Sequence, residues 1–418
     1  MDSTEEKGKE TEKGEGKGKE KKSTILRDKN FLLLWAGQGV SQAGNWIYLL
    51  AMVSFVIAQT GSATVTGTVL MITVIPQIFL GPLAGSYADK WSRKKLIVWM
   101  DALRGIVVLY LGWLVLNNGL TLPVLYIGTA VMSIGQVFFT PALRAAMPTI
   151  VPKDELNRAN SLVGMMSKIS GVIGPAVGGI LIITLGIPLA FILNGLSFLV
   201  SALSESFIEI PLVKREGPEK HILADMKEGF GFIRQKKAIL GIILILGAMT
   251  FFAAPLVIVF KILSEEYYLM GDLGYGFLIS ADSLGILIAT FLLAVRPKIE
   301  NKSRVLILFP IVAGLTLLGM GTVINFYFAI VLMFLQGIIS GFGEIVIITL
   351  LQTLTPDDKR GKVFGVYVTM TMALVPISYA VLGILIDTTS VITMLLVSGT
   401  ALVIGGISIS LVPGIREL

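Results

Sequence analysis

From Phe31 onward the hydropathy of the chain rises and falls in apolar runs of roughly 20 to 28 residues, each long enough to carry a helix across about 30 Å of hydrocarbon. Twelve such segments are expected, at 31–58, 66–88, 96–116, 122–147, 159–184, 188–208, 238–263, 273–295, 304–323, 326–352, 361–386 and 390–412. A soluble alternative would need more polar surface than 15% charged residues supply beside 54% hydrophobic ones, at a mean hydropathy of +0.82. The fold class is therefore an all-α, multi-pass membrane protein.

The loops carry an independent test of that count. Lys and Arg concentrate in every second connection: the tail, Lys90 to Lys95, Lys153/Arg158, Lys214 to Lys237, Arg296 to Arg304, and Lys359-Arg360 with Lys362. The connections at Gly61, Asn117, Gly186, Asn325 and Thr388 carry no cation, and Glu265-Glu266 is acidic. Cations stay on the cytoplasmic side, so an even number of crossings and two cytoplasmic termini are expected. Spread over many short loops, the net charge of +6 reads as topology and not as a nucleic-acid surface.

The chain also repeats itself. Thr149, Pro152 and Asp154 recur as Thr353, Pro356 and Asp358, and Gly179-Ile-Leu-Ile182 recurs as Gly383-Ile-Leu-Ile386, each match 204 residues apart. A shared offset across a helix and the loop before it argues for two six-helix halves of the same orientation. The expected organisation is a disordered Lys/Glu/Gly tail at 1–29, a first bundle at 30–209, a cytoplasmic linker at 210–237 with a surface helix near 224–235, and a second bundle at 238–418.

Between the second and third segments lies Gly81-Pro-Leu-Ala-Gly85-Ser-Tyr-Ala-Asp89-Lys90-Trp-Ser92-Arg93-Lys94-Lys95. Its spacing resembles the signature loop of the major facilitator superfamily, with Ser92 where the family usually has Gly. The resemblance implies two pseudo-symmetric six-helix bundles. It further implies a gating set, Gly85, Asp89, Arg93, Asp101, Arg104 and Arg144 with Gly361, in which the Asp89 carboxylate faces the positive amino end of the eleventh helix when the cytoplasmic side is closed. Asp101 and Arg104, three apart, are expected to pair beside this loop, and Arg144 to snorkel at an inner helix end.

The fifth segment holds Gly174-Pro175-Ala-Val-Gly178-Gly179, similar to the antiporter motif of the superfamily, although two glycines of the fullest pattern are Ser161 and Ser170 here. Further stretches resemble the bacterial efflux branch that includes macrolide exporters and the transmembrane secretion effector group. They are Phe31 to Trp46, Phe139-Thr-Pro141-Ala-Leu-Arg144, Val151 to Asn160, Phe191-Ile-Leu-Asn194, and Leu351-Gln352 through Arg360-Gly361. That branch commonly has Asp at the position of Asn45. An amide does not titrate, so an ion-coupling group must stand elsewhere.

Charged side chains within the segments are the places to look, since a carboxylate at a helix centre costs roughly 2.5 to 3.5 kcal/mol. Asp282 lies roughly 20 Å and Glu344 roughly 13 Å from the cytoplasmic ends of their helices, which makes them the expected proton-coupling pair. Glu205 and Lys261, nearer segment ends, are expected to snorkel. Lys168 is deep, with Glu205 or an anionic substrate as conceivable partners.

A central cavity is expected to draw on Gln38, Gln42, Asn45, Trp46, Gln136, Phe139, Asn194, Gln336 and Tyr379. Sparse amides among aromatics and methionines suit hydrophobic or amphipathic molecules. With the resemblance, this implies a monomeric secondary exporter of such small molecules in the inner membrane of a bacterium or archaeon, exchanging protons by alternating access. A lysolipid flippase or a siderophore exporter of the same fold are the alternatives. No cysteine, a lone His221 in a loop and no phosphate-cradling glycine loop argue against metal, cofactor and enzymatic chemistry.

Overall fold

The computed structural model describes residues 25–210, 222–296, 299, 301–413 and 415. The tail expected at 1–29 lies almost wholly outside the described residues, as does the linker stretch 211–221. Thirteen α-helices follow one another among the described residues: α1 (Lys29–Thr60), α2 (Ala63–Lys90), α3 (Arg93–Leu116), α4 (Leu122–Ile150), α5 (Leu156–Ser206), α6 (Ile222–Gln235), α7 (Lys237–Ala253), α8 (Leu256–Ile262), α9 (Gly271–Val295), α10 (Lys302–Thr322), α11 (Phe326–Leu354), α12 (Asp357–Thr388) and α13 (Val391–Ile409).

Local chemistry sets the boundaries. Asp28, Ser62, Ser92, Asn325 and Ser390 each turn a side-chain oxygen onto a backbone N–H of the following helix's first turn. At Ser92 the backbone is extended (φ −64°), so no left-handed glycine is needed there. Serine serves instead as the N-cap of α3. Pro255 lacks an N–H and divides the seventh crossing, which runs Lys237–Tyr267 through α7, α8 and a π-turn.

Eleven helical stretches are long and apolar enough to cross a membrane, and one of them, Lys153–Ser206, has 54 residues, about twice what a crossing needs. It is a hairpin. Gly186 (φ 83°) is the turn, in a conformation that residues with a Cβ rarely adopt. Along α1, Gly39, Trp46 and Ile47 meet Met166, Gly174 and Gly178 of the first limb in ascending order. Gly37 and Gly44 meet Ser201 and Ser197 of the second limb in descending order. Only a chain that reverses at Gly186 can run with α1 and then against it. The twelve crossings form two six-helix bundles on either side of the amphipathic helix α6.

Two antiparallel seams join the bundles, α5 on α9 and α2 on α12. Gly179 and Gly383, the matched glycines of the internal repeat, sit one in each seam. A Cβ on Gly179 would lie 2.5 Å from the carbonyl oxygen of Asp272, and one on Gly383 would lie 3.2 Å from Cα of Thr64. The repeat thus records where the pseudo-symmetric halves touch.

Both seams close at the end of the molecule that carries no basic loop, hereafter the neutral end. Along α2 and α12, Thr64 meets Gly383 and Gly67 meets Tyr379, but towards the basic end Gly81, Gly85, Gly361 and Gly365 all face open space. The Gly81/Gly85 pair makes no close approach in this arrangement because the two bundles have parted there.

Candidate functional site

Where α2 and α12 diverge they leave a cavity of about 430 Å³, walled by Gln77, Ile78 and Gly81 of α2, Gln136, Thr140 and Arg144 of α4, and Thr369 and Met372 of α12. Its walls come from both bundles. Among the described residues that line it, Arg144 is the one with a formal charge.

The second seam opens beside a set of charges. One turn beyond the contact of Gly171 with Ser283, the Lys168 ammonium of α5 stands 3.9 Å from the Glu344 carboxylate of α11 and also acts electrostatically on Asp282 of α9. Lys168 is 41% exposed and Glu344 59% exposed. Glu344, expected buried, is the more open of the two carboxylates because it points at the gap between bundles. Asp282 is more enclosed. The sequence had offered Lys168 no partner in the second bundle. Its neighbours are the two carboxylates expected to titrate.

The neutral end is sealed by polar contacts between bundles. Lys261 Nζ donates to Glu265 Oε2 and Asp272 Oδ1, both at 2.7 Å, and Ser54 of α1 donates to the same Asp272 oxygen. Lys261 is therefore buried and doubly paired where snorkelling was expected. Asp387, at the end of α12, accepts from the Ser62 hydroxyl at 2.6 Å and from the backbone N–H groups of Ala63 at 2.7 Å and Thr64 at 2.9 Å. These are orphan donors of the α2 amino terminus, where the helix dipole favours an anion. The sequence reading passed over Asp387 and Asp272. The available signal was an acid directly after the repeated Gly-Ile-Leu-Ile, where the first copy has Ile183.

A third polar group is internal to the first bundle. Asp101, Arg104 and Glu205 are all buried. The Arg104 guanidinium bonds to Asp101 and to the Gln136 side-chain oxygen, and it lies between the rings of Phe139 (4.6 Å to the centroid) and Phe198 (4.4 Å). Glu205 accepts from Gln38 Nε2 at 2.9 Å and from the Ser201 hydroxyl at 3.4 Å.

This network corrects several expectations. Gln38, Phe139 and Asn194 do not face a cavity: Gln38 holds Glu205, Phe139 covers Arg104, and Asn194 is packed against Gly44 and Ser197. Glu205 does not snorkel, because the second limb of α5 turns it inward between α1 and α3. Gln336 ties α10 to α11, accepting from Thr316 at 2.8 Å and donating to Ser340 at 3.2 Å. Tyr379 belongs to the α2/α12 seam, and Trp46 packs over Gly174 and Gly171.

Gln136 does line the cavity, while Gln42 and Asn45 are half-buried on α1 and make no side-chain hydrogen bond among the described residues. Gly174 and Gly178 face α1, and Pro175 and Gly179 face α9 of the other bundle, so the motif packs on both sides at once. Arg93 donates to the Ala145 carbonyl at 3.0 Å, tying α3 to α4. The side chain of Asp89 lies outside the described residues.

Two antiparallel seams, closed at one end around a cavity shared by two six-helix bundles, define a membrane protein of the major facilitator fold, whose family and structural neighbours are transporters and not enzymes. Residues 22–416 match the transmembrane secretion effector family, and the chain belongs to that family. Macrolide efflux protein A of Streptococcus pyogenes is 24% identical over 396 residues, 93% of this chain and 97% of that protein. The enterobactin exporter EntS of Shigella boydii is 26% identical over 359 residues, 84% of this chain and 82% of that protein. Among solved structures, the nucleoside transporter NupG superposes with a TM-score of 0.73 at 14% identity, covering 92% of this chain and 99% of that one. A bacterial homologue of the iron transporter ferroportin in its inward-facing state gives 0.70 at 17% identity, covering 93% and 100%.

Proposed function

We propose that this transporter exports hydrophobic or amphipathic small molecules from the cytoplasm by alternating access, in exchange for protons. The observation that carries the reading is an asymmetry between the two ends: both seams are shut at the neutral end, while α2 and α12 part towards the basic end, where the shared cavity lies. Basic loops stay cytoplasmic. The arrangement is then inward-open in the inner membrane, with both termini inside, ready to load from the cytoplasm or the inner leaflet.

The Lys168, Asp282 and Glu344 cluster supplies a coupling device. With both carboxylates ionised, Lys168 of the first bundle is drawn to two anions of the second. Protonation removes that attraction and frees the bundles to rock. The pair is partly exposed, so each contact contributes no more than about 1 kcal/mol. A bias of that size tilts a conformational equilibrium without locking it.

The lining suits amphipathic cargo: Ile78, Val137, Pro141, Val368 and Met372 give an apolar wall, Gln77, Gln136, Thr140 and Thr369 give hydrogen-bonding groups, and Arg144 adds a positive charge. The test is purified protein in liposomes under an imposed pH gradient, with macrolides, cationic dyes and lysolipids as separate arms and an internal pH indicator as readout. Proton movement that requires substrate, and disappears in Asp282→Asn or Glu344→Gln, is the expected result. Transport that ignores the gradient, or runs only with lysolipid, would replace the reading with a uniporter or a flippase.

A further inference from the structure

The Asp101, Arg104 and Glu205 group lies wholly inside one bundle and takes no part in either seam. Its charges do not balance. Two carboxylates, 0% and 1% exposed, face one guanidinium that is 3% exposed. The elements packed around them add no further charge among the described residues: α1 contributes Gln38, α4 contributes Gln136 and Phe139, and the second limb of α5 contributes Phe198 and Ser201. Asp101 and Arg104 are the charged groups that act on Glu205. Fully ionised, the cluster would hold a net negative charge away from water, which is costly unless another positive charge joins it.

The hydrogen-bond pattern points the same way. Oδ2 of Asp101, Oε2 of Glu205 and Nε of Arg104 are buried without a partner, although the other atoms of the same groups are bonded. Two unpaired carboxyl oxygens on like-charged neighbours are what remains when a shared hydrogen has been left out of the count. Ser201, whose hydroxyl donates to Glu205 Oε1 at 3.4 Å, stands beside both acids.

We propose that Asp101 and Glu205, set against Arg104, form a binding site for one proton inside the first bundle, separate from the Lys168, Asp282 and Glu344 cluster. The proton adds to a carboxylate oxygen and leaves a neutral acid beside an Arg104–carboxylate pair. The same Gln136 that accepts from Arg104 lines the cavity, so a molecule that engages this amide is one hydrogen bond from the site.

The site is testable on the purified full-length protein without any transport assay, so its outcome is independent of the export reading. Infrared spectroscopy at neutral pH is expected to show the carbonyl stretch of a protonated carboxyl group, retained when Asp282→Asn and Glu344→Gln are combined. It is expected to vanish in Glu205→Gln and equally in Asp101→Asn, since either substitution leaves one carboxylate fully paired with Arg104. A native chain that keeps a proton its unfolded form has lost must become less stable as pH rises above neutrality, and that slope is expected to flatten in either single variant. The native protein alone can overturn the proposal, by showing neither the band nor the slope. A band that survives both single variants, or is lost with Asp282 and Glu344, would overturn it too.

Discussion

The Asp387 carboxylate accepts the backbone N–H of Ala63 at 2.7 Å, so the carboxyl end of a helix in one bundle caps the amino end of a helix in the other. Because α2 and α12 are antiparallel, their opposite ends carry the reverse relationship in sequence: Asp89 closes α2 and Gly361 lies in the first turns of α12. If the bundles rock as proposed, breaking the Asp387 contact would bring the Asp89 end of α2 towards the amino end of α12.

Replacing Asp387 with alanine should therefore loosen the neutral end. The contact is solvent-exposed, so its loss should be worth about 1 kcal/mol, a roughly fivefold shift toward opening at that face. The chain has no cysteine, so single cysteines introduced at Thr60 and Thr389 can carry spin labels, and the distance between them is expected to lengthen. An unchanged distribution would show that Asp272 and Lys261 hold the seal alone.

If Lys168 is the counter-charge for Asp282 and Glu344, reversing its pair should preserve what reversing either residue destroys. Lys168→Glu and Glu344→Lys are each expected to uncouple substrate flux from the pH gradient, with the double exchange recovering a measurable part. Recovery would be read in the same liposomes, and its absence would assign the two charges separate roles.

Arg104 is clasped by two aromatic rings and faces two acids, so its removal should unfold more than it disables. Truncation to alanine leaves buried charge uncompensated, a loss of about 3 to 5 kcal/mol. Lysine should rescue little, because a compact ammonium cannot fill the slot between Phe139 and Phe198 or bond both Asp101 and Gln136. Thermal unfolding in detergent would record both effects.

At Gly179 any side chain meets the Asp272 carbonyl, so Gly179→Val should leave each bundle folded and prevent the α5/α9 seam from closing. The expected phenotype is a normally inserted protein whose transport falls at least tenfold, with spin labels at the exposed Thr184 and Leu269, one on each side of the seam, held apart. Gly383→Ala, at 3.2 Å from its nearest atom, should be milder.

The surface helix α6 rides on α12 through Glu228, whose carboxylate accepts from Lys362 Nζ at 2.6 Å, and through Lys359 over the Phe232 ring. Its hydrogen bond to Lys362, with that ammonium's charge, holds the Glu228 carboxyl below the usual carboxylate range. A depressed acid contributes its tether above its unfolded value and loses it as pH falls through the folded one. The protection of amides over 226–235, corrected for intrinsic exchange, should therefore stay constant near neutrality and fall only in acid below the ordinary glutamate range, while Glu228→Gln should remove that acid step.

The twelve crossings and the surface helix were legible because each is written along the chain. Span length answers to bilayer thickness, and the 204-residue offset to two matched glycines, Gly179 in one seam and Gly383 in the other. Gln38, Asn194 and Phe139 were misjudged for a different reason. A polar residue in an apolar helix announces that it needs a partner, but not on which side of the helix the partner stands.

Hydropathy by itself determined that this chain is a set of spanning helices, because a bilayer imposes that solution on any sequence so patterned, and the 204-residue repeat determined that they fall in two related halves. Only the tertiary structure decided that Glu205 meets the neighbourhood of Asp101, that Lys168 meets Glu344, and that Asp387 meets Ala63. Those meetings depend on how each helix is rotated about its own axis. Rotation is settled by packing against helices far away in sequence, where a turn of about 100° per residue sends adjacent side chains to different neighbours.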